Sequence, residues 1–374
     1  MAYCVAQTIY RIWFHPLSKF PGPPLLAATY VPFVYLNHAR GTWVRRMPAL
    51  HRKYGPAVRI GPNHIAFDGS IGWPEVYGHR KGGQEEFGKP PGPYPGDEKS
   101  LINAPKDVHR RQRRQLSHAF SDGSLAQQEP TICKYVNLLM ERLTERAAKG
   151  EVVDIVEWMN FTTFDIIGDL TFSESFHSLE NNGYHPWVRS IFEGIRGLAL
   201  RRGYHFYPTI GKMTDFFGLN TSSKTSLQVR GYARSKAKAR MELDEQQVPG
   251  HKDFIGYMTR KTRDDTGGMS EAEILATTPV LVVAGSETTA TAIAGFTFFM
   301  SKNPRVYDIL ANEIRSTYSA ESDITLRNTA TIEYLQAVID ELLRVYPPAA
   351  ETPPRVSPGA VVDGRYIPAG VSLP

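Results

Sequence analysis

Residues 270–302 read SEAEILATTPVLVVAGSETTATAIAGFTFFMSK, and this stretch decides the architecture. Ser270 can cap a helix, with Glu273 three positions on as its capping-box partner. Asn303-Pro304 ends it, because a proline disfavours helical backbone in the residue before it. The flanks are apolar, Pro279-Val-Leu-Val-Val-Ala284 on one side and Ala292-Ile-Ala-Gly-Phe296 on the other. A helix that is apolar all round belongs in a protein interior. The spacing therefore predicts a buried, continuous helix from about Ser270 to Lys302, with Pro279 as the place for a bend.

The middle of this helix breaks the pattern with Gly285-Ser286-Glu287-Thr288-Thr289. A carboxylate in a buried helix is costly unless it is paired or functional. Gly285 weakens the helix by ~1 kcal/mol relative to alanine and lets another group approach the backbone. Thr288 and Thr289 can bond back to the preceding turn. Together these residues predict a polar notch facing a cavity, able to hold water or a small ligand. A polar stripe that simply faces solvent is the alternative.

Outward from this element the helical period dominates. It predicts helices at about 42–54, 106–120, 126–148, 153–171, 183–201, 222–245, 304–319 and 331–346. A short one near Phe254 interrupts an otherwise polar loop over 246–268. Ala57–Ile60 and His64–Phe67 flank a Gly-Pro-Asn turn and read as a hairpin, as does the stretch around Asp363-Gly364. Residues 80–100 read as a long surface loop of the kind that often carries function. The fold class is mainly α (α+β), with strands near both ends and one large core.

The 374 residues are 41% hydrophobic and 22% charged, an ordinary globular balance. The mean hydropathy of −0.32 excludes a polytopic membrane protein. The net charge of +5 is clustered, at Arg110, Arg111, Arg113 and Arg114 and in the RGYARSKAKAR run over 230–240. Such runs are more often solvated helix faces than nucleic-acid surfaces, and a docking face for an acidic partner is a third reading. Only Cys4 and Cys133 are present, which excludes a disulfide scaffold and a cysteine-built zinc site.

Residues 1–14, MAYCVAQTIYRIWF, are apolar but shorter than the ~17–25 residues of a spanning helix. Tyr10, Trp13 and Phe14 suit a membrane interface. We read 1–14 as a partial anchor or interfacial segment, 15–24 (HPLSKFPGPP) as a proline-stiffened hinge, and 25–374 as the body.

Three weaker signals complete the set. Glu341-Leu-Leu-Arg344 places two opposite charges on one helix face. His109 and Arg113, four apart on a basic helix, could share an anionic group. Pro353-Pro354-Arg355 delivers one guanidinium from a rigid approach.

In this order the motifs resemble the cytochrome P-450 family of haem-thiolate monooxygenases, in its fungal, membrane-associated form. Ala284-Gly-Ser-Glu-Thr-Thr289 matches the family's oxygen-activation motif, and Glu341-Leu-Leu-Arg344 its Glu-x-x-Arg signature. Tyr346-Pro-Pro348 and Pro354-Arg355 follow as they do in the family. Phe14-His-Pro-Leu17 with Phe20-Pro-Gly-Pro23, Arg114-Gln-Leu-Ser-His-Ala-Phe-Ser121 and Phe164-Asp-Ile-Ile-Gly-Asp-Leu170 are similar to fungal members.

The resemblance implies a helical prism with a small β-rich lobe and a haem b cofactor. It implies insertion of one oxygen atom of O2 into a lipophilic substrate of secondary metabolism, with electrons from an NADPH-cytochrome reductase. It places the protein on the cytosolic face of the endoplasmic reticulum membrane, with no nucleic-acid partner. Glu287 and Thr288 would move protons. Ala284 and Gly285 would form the groove over the haem. His109, Arg113 and Arg355 would converge on its propionates, and Glu341 with Arg344 would be a buried structural pair.

Two departures stand out. Ser173 occupies a position where many relatives carry glycine. The family's haem-ligating cysteine sits in a Phe-x-x-Gly-x-Arg-x-Cys-x-Gly loop that would fall beyond Pro374, so the fold is expected to be C-terminally incomplete and the chain as written inactive. A non-catalytic remnant or incomplete gene model, a basic interaction module without cofactor, and a membrane-surface protein without cofactor are the competing readings.

Overall fold

The computed structural model describes residues 2–80, 82–90, 99–217, 222–243, 253–260 and 268–374. Much of the predicted loops at 80–100 and 246–268 lies outside these residues. The chain divides into two compact units, one of Met1–Pro95, Ile195–Ser222 and Ala350–Pro374, the other of Gly96–Gly194 and Ser223–Ala349.

Among the described residues, the first unit holds all the strands. β1 (Ala57–Gly61) and β2 (His64–Phe67) form the predicted antiparallel hairpin, with a bulge between Arg59 and Gly61. β3 (Arg355–Val356), β4 (Ala360–Val362), β5 (Arg365–Ile367) and β6 (Ser372–Leu373) follow. One sheet runs β1-β2-β6-β3, and β4-β5 is a separate hairpin. Asp363 and Gly364 turn that hairpin with φ of 51° and 68°, the left-handed pair that a tight two-residue connection requires. Leu17 and Phe20 of the proline-rich stretch are buried with Ile65, Val362 and Ile367 under these strands. A second cluster packs Phe33 against Trp43 and Phe206.

Residues 2–14 are helical, as Ala2–Ile9 and a wider turn over Tyr10–Phe14, and none is buried. Arg11 ties this segment down by donating to the carbonyl of Ala28 at 2.8 Å, while Arg59 donates to the carbonyl of Arg11 at 2.8 Å. Helices at Pro24–Ala28 and Pro208–Phe216 were not expected. Each opens on a proline, which suits a first helical position.

The second unit is helical. Its centre is the helix Ile155–Phe172, buried along nearly its whole length. Asp154 caps it, accepting from the backbone N–H of Val156 at 2.9 Å. Ser173 ends it in a left-handed conformation, φ 56°, where glycine is the easier residue. Its hydroxyl donates to Asp253 at 2.7 Å, an interaction that glycine could not make.

The long helix, Glu271–Lys302, packs along this central helix. It is continuous through Pro279, and Ser270 and Glu273 form the predicted capping box. The expectation of burial all round needs correction. Ile274, Thr278, Val282, Ser286 and Ala290, spaced four apart, are buried. Ala284, Gly285, Thr289, Ile293 and Phe298 on other faces are exposed. The central helix covers one side, and the helix Glu333–Val345 touches the far end, at Gly295.

Candidate functional site

The open face of the long helix carries short side chains. Ala284 and Gly285 are exposed in sequence, and Thr289 is exposed one turn further on. Thr288 is half-buried, and its hydroxyl donates to the carbonyl of Ala284 at 2.6 Å. On the covered side, Ser286 does the same toward Val282 at 2.7 Å. These back-bonds satisfy the hydroxyls inside the helix. Gly285 has a packing reason as well. A β-carbon there would sit 2.7 Å from Cδ1 of Ile167 on the central helix.

Glu287 is different in kind. It is half-buried, and its Oε2 is enclosed without a hydrogen-bond partner among the described residues. Burial alone pushes its carboxyl above the ordinary value of 4.5. Among the described residues, no cation offsets this. Tyr184 feels its charge, and burial pushes the Tyr184 hydroxyl up to about 12. The helix thus presents a carboxyl able to hold a proton nearer neutrality than usual, beside a strip of small residues. A flat ligand can reach backbone along such a strip.

The basic helix Lys106–Ser117 begins after Pro105 as predicted. His109 is half-buried and Arg113 exposed on it. Arg111, which the motif reading passed over, turns to the other side. It pairs with Glu273 and donates to the carbonyl of Gly268 at 3.4 Å. Arg355 belongs to the first unit, where its Nη1 donates to the carbonyls of Pro353 and Pro354 at 3.3 Å, over the ring of Tyr77.

The expected burial of Glu341 and Arg344 is not found. They form two hydrogen bonds of 2.6 and 2.7 Å, but their side chains are 60% and 70% exposed. The helix Glu333–Val345 turns Val338 and Leu342 inward, and a pair at 341 and 344 falls on the flank of that stripe.

A match to the cytochrome P450 family model runs over residues 21–373. Cytochrome P450 monooxygenase astJ of Aspergillus oryzae is 40% identical over 380 residues, covering 100% of this chain and 74% of that relative. The chain belongs to the cytochrome P450 family. Trichothecene C-15 hydroxylase of Fusarium sporotrichioides is 39% identical over 375 residues, 98% of this chain and 75% of that protein. Trichothecene C-4 hydroxylase of Trichoderma arundinaceum is 36% identical, over 94% of this chain and 69% of its own. The P450 fold and the expectation of a haem-dependent monooxygenase of fungal secondary metabolism are thereby borne out. The family implies a reductase partner, lipophilic substrates and membrane association. By length and composition alone, the long helix could also cross a membrane, although Glu287 lies within it.

The family's cofactor is haem, and one face of such a site fits the residues present. A porphyrin needs a strip of short side chains, which Ala284, Gly285 and Thr289 supply, and the enclosed oxygen of Glu287 lacks a partner beside it. Cys133 is not part of that face, because it is exposed on the helix Asp122–Ala148. Cys4 is exposed on the N-terminal helix of the other unit.

Proposed function

We propose that the open face of the long helix is the oxygen side of a haem site, the side that serves hydroxylation of a lipophilic secondary metabolite. Glu287, enclosed and unpaired on an apolar helix, carries this reading. When bound, haem supplies the redox-active iron for inserting one oxygen atom of O2 into a substrate bond. Ala284 and Gly285 give it a flat wall. Glu287 takes a proton from solvent and holds it at its carboxyl, and Thr288 offers a hydroxyl one residue on. His109 and Arg113 supply cationic groups for the propionates, and Glu341 with Arg344 is a surface pair that supports its helix.

Arg110 and Arg114, exposed on the basic helix, favour docking of an acidic NADPH-cytochrome reductase. Tyr3, Trp13 and Phe14, exposed at 77%, 63% and 72%, favour seating of residues 2–14 in the cytosolic face of the endoplasmic reticulum membrane. The test is a haem titration of the purified chain followed by absorbance. Saturable one-to-one binding is expected, weakened about tenfold in Arg113→Gln by loss of a charge-assisted contact. A chain that binds no haem at a defined stoichiometry sinks the reading.

A further inference from the structure

Residues 1–67 contain eight lysines and arginines and no aspartate or glutamate, while the other 35 basic residues are outweighed by all 38 acidic ones. Positive charge is thus gathered in the first unit's N-terminal segment, and half of it lies on one helix. In Trp43–Tyr54, the side chains of Trp43, Met47, Leu50 and Tyr54 turn inward and pack in the cluster around Phe33. Arg45, Arg46, Arg52 and Lys53 are exposed. At 3.6 residues per turn these four fall within an arc of about 120°, turned away from that cluster. Arg45 and Arg52 are seven residues apart, as are Arg46 and Lys53, so the charges form two short rows about 10 Å long. Like charges so placed repel one another, and among the described residues none of the four forms an ion pair.

The missing complement is a negatively charged surface. Apolar neighbours narrow its class. Phe33 packs edge-on against Trp43 at 5.0 Å and against Phe206 at 5.4 Å. It lies between Val31 and Tyr35, both exposed, and Phe206 leads into the helix Pro208–Phe216, where Ile210, Met213 and Phe216 are exposed. Thr29 and the Tyr207 hydroxyl share a hydrogen bond of 2.7 Å, next to the Ala28 carbonyl to which Arg11 donates. The basic helix, these apolar side chains and residues 2–14 are therefore knit together within the first unit. Cations beside exposed aliphatic groups fit a surface with anions at its face and hydrocarbon beneath. A soluble acidic protein or a nucleic acid would leave the aliphatic groups in water. We propose that Arg45, Arg46, Arg52 and Lys53 bind the headgroups of anionic lipids, so that the protein selects a negatively charged membrane. This deepens the membrane seating proposed for residues 2–14 by adding a choice of lipid.

The test is flotation of the purified chain with vesicles of phosphatidylcholine alone and of phosphatidylcholine mixed with phosphatidylserine. In dilute salt the serine lipid should tighten partition at least about twentyfold, and concentrated salt should erase the gain. Arg45→Gln with Arg52→Gln, and separately Arg46→Gln with Lys53→Gln, should each cut the gain about fivefold or more, without changing partition into the neutral vesicles. Arg305→Gln with Arg327→Gln, the same loss of charge at exposed positions of the helical unit, should leave the gain intact. All these side chains are exposed, so circular dichroism should show the same fold throughout. No gain from phosphatidylserine overturns the proposal, and so does an equal loss in the control pair, since net charge alone would then explain the binding. Tighter binding to soluble polyglutamate than to the mixed vesicles overturns it in favour of an acidic protein partner. Trp13→Ser with Phe14→Ser should weaken partition into both kinds of vesicle alike. A chain that ignores neutral vesicles but still binds the mixed ones would end the seating of residues 2–14 and leave the lipid choice standing, so the two readings fail separately.

Discussion

Arg240 with Asp253 and Arg344 with Glu341 are chemically the same pair in opposite surroundings. The first joins the helix Ser222–Glu242 to the turn before Phe254, with side chains 8% and 0% exposed. Asp253 also accepts from the backbone N–H of Gly256 and the hydroxyl of Ser173, both at 2.7 Å. The second has good bidentate geometry, yet both side chains face solvent. Geometry is not what separates them. Water screens the exposed pair and would rehydrate either partner left alone, whereas a lone charge at Asp253 or Arg240 would stay buried.

The largest effect is therefore expected at Asp253. Asp253→Ala strands Arg240, and also releases Ser173 in its left-handed turn. Loss of one partner of a buried pair costs about 3–5 kcal/mol. Urea unfolding should show the drop, and Arg240→Met combined with Asp253→Ala should recover part of it. A drop no larger than that of a surface substitution would erase the contrast between the two pairs.

Arg111 with Glu273 lies between the extremes. Glu273 is nearly buried, while Arg111 is partly exposed. Burial pushes the Glu273 carboxyl up, but Arg111 and Ser270 outweigh it and hold it below its ordinary value. A depressed folded value adds stability that is fully present above the ordinary carboxyl range and is lost as pH falls through the depressed value. Glu273→Gln should cost about 1–2 kcal/mol at pH 7, for the ion pair and the capping box together. The difference from the unsubstituted chain should shrink in acid. A cost independent of pH would assign the effect to packing.

Glu287, on the same helix as Glu273, reverses the sign. Its carboxyl is raised by burial, so the folded chain holds a proton more readily than the unfolded chain does. The penalty is present above the raised value and relieved as pH falls. Glu287→Gln should accordingly raise the thermal midpoint by roughly 1–3 °C at pH 7.5, and the gain should vanish in acid. A lower midpoint at pH 7.5 would mean that the carboxylate has a cation to satisfy.

How much of this was legible follows the range of each interaction. The capping box of Ser270 and Glu273, the Asp363-Gly364 hairpin and the length of the long helix are local, and local rules found them. The polar notch at 285–289 was legible because it interrupts an apolar run. Its openness was not, because periodicity marks apolar faces without saying what covers them. Pro24 falls in the stretch that reads as a stiff hinge, and no element is expected around Pro208, although each proline starts a helix. The partners Arg240 and Asp253 sit thirteen positions apart, beyond the reach of any helical spacing rule. Ser173 could be marked as a departure from glycine, but the acceptor that compensates for it lies in another segment.

The smallest effect is expected where the sequence motif is most recognisable. Arg344 hydrogen-bonds the Glu341 carboxylate and holds it below its ordinary value. Read naively, that depression would promise acid-sensitive stability from the pair. Both groups are open to water, however, so the attraction is screened and each charge is readily hydrated when its partner is removed. What Leu342 and Val338 contribute on the inner stripe of the same helix is untouched by a change on its flank. Glu341→Ala should therefore move the thermal midpoint by less than about 1 °C at pH 7, in low and in high salt alike. Leu342→Ala, two residues and so a little over half a turn from the same motif's arginine, and facing inward, should lower it by several degrees through the cavity it leaves. If Glu341→Ala unfolds the chain while Leu342→Ala does not, the exposed pair is bearing a load in solution, and the distinction drawn from Asp253 and Arg240 fails at this helix.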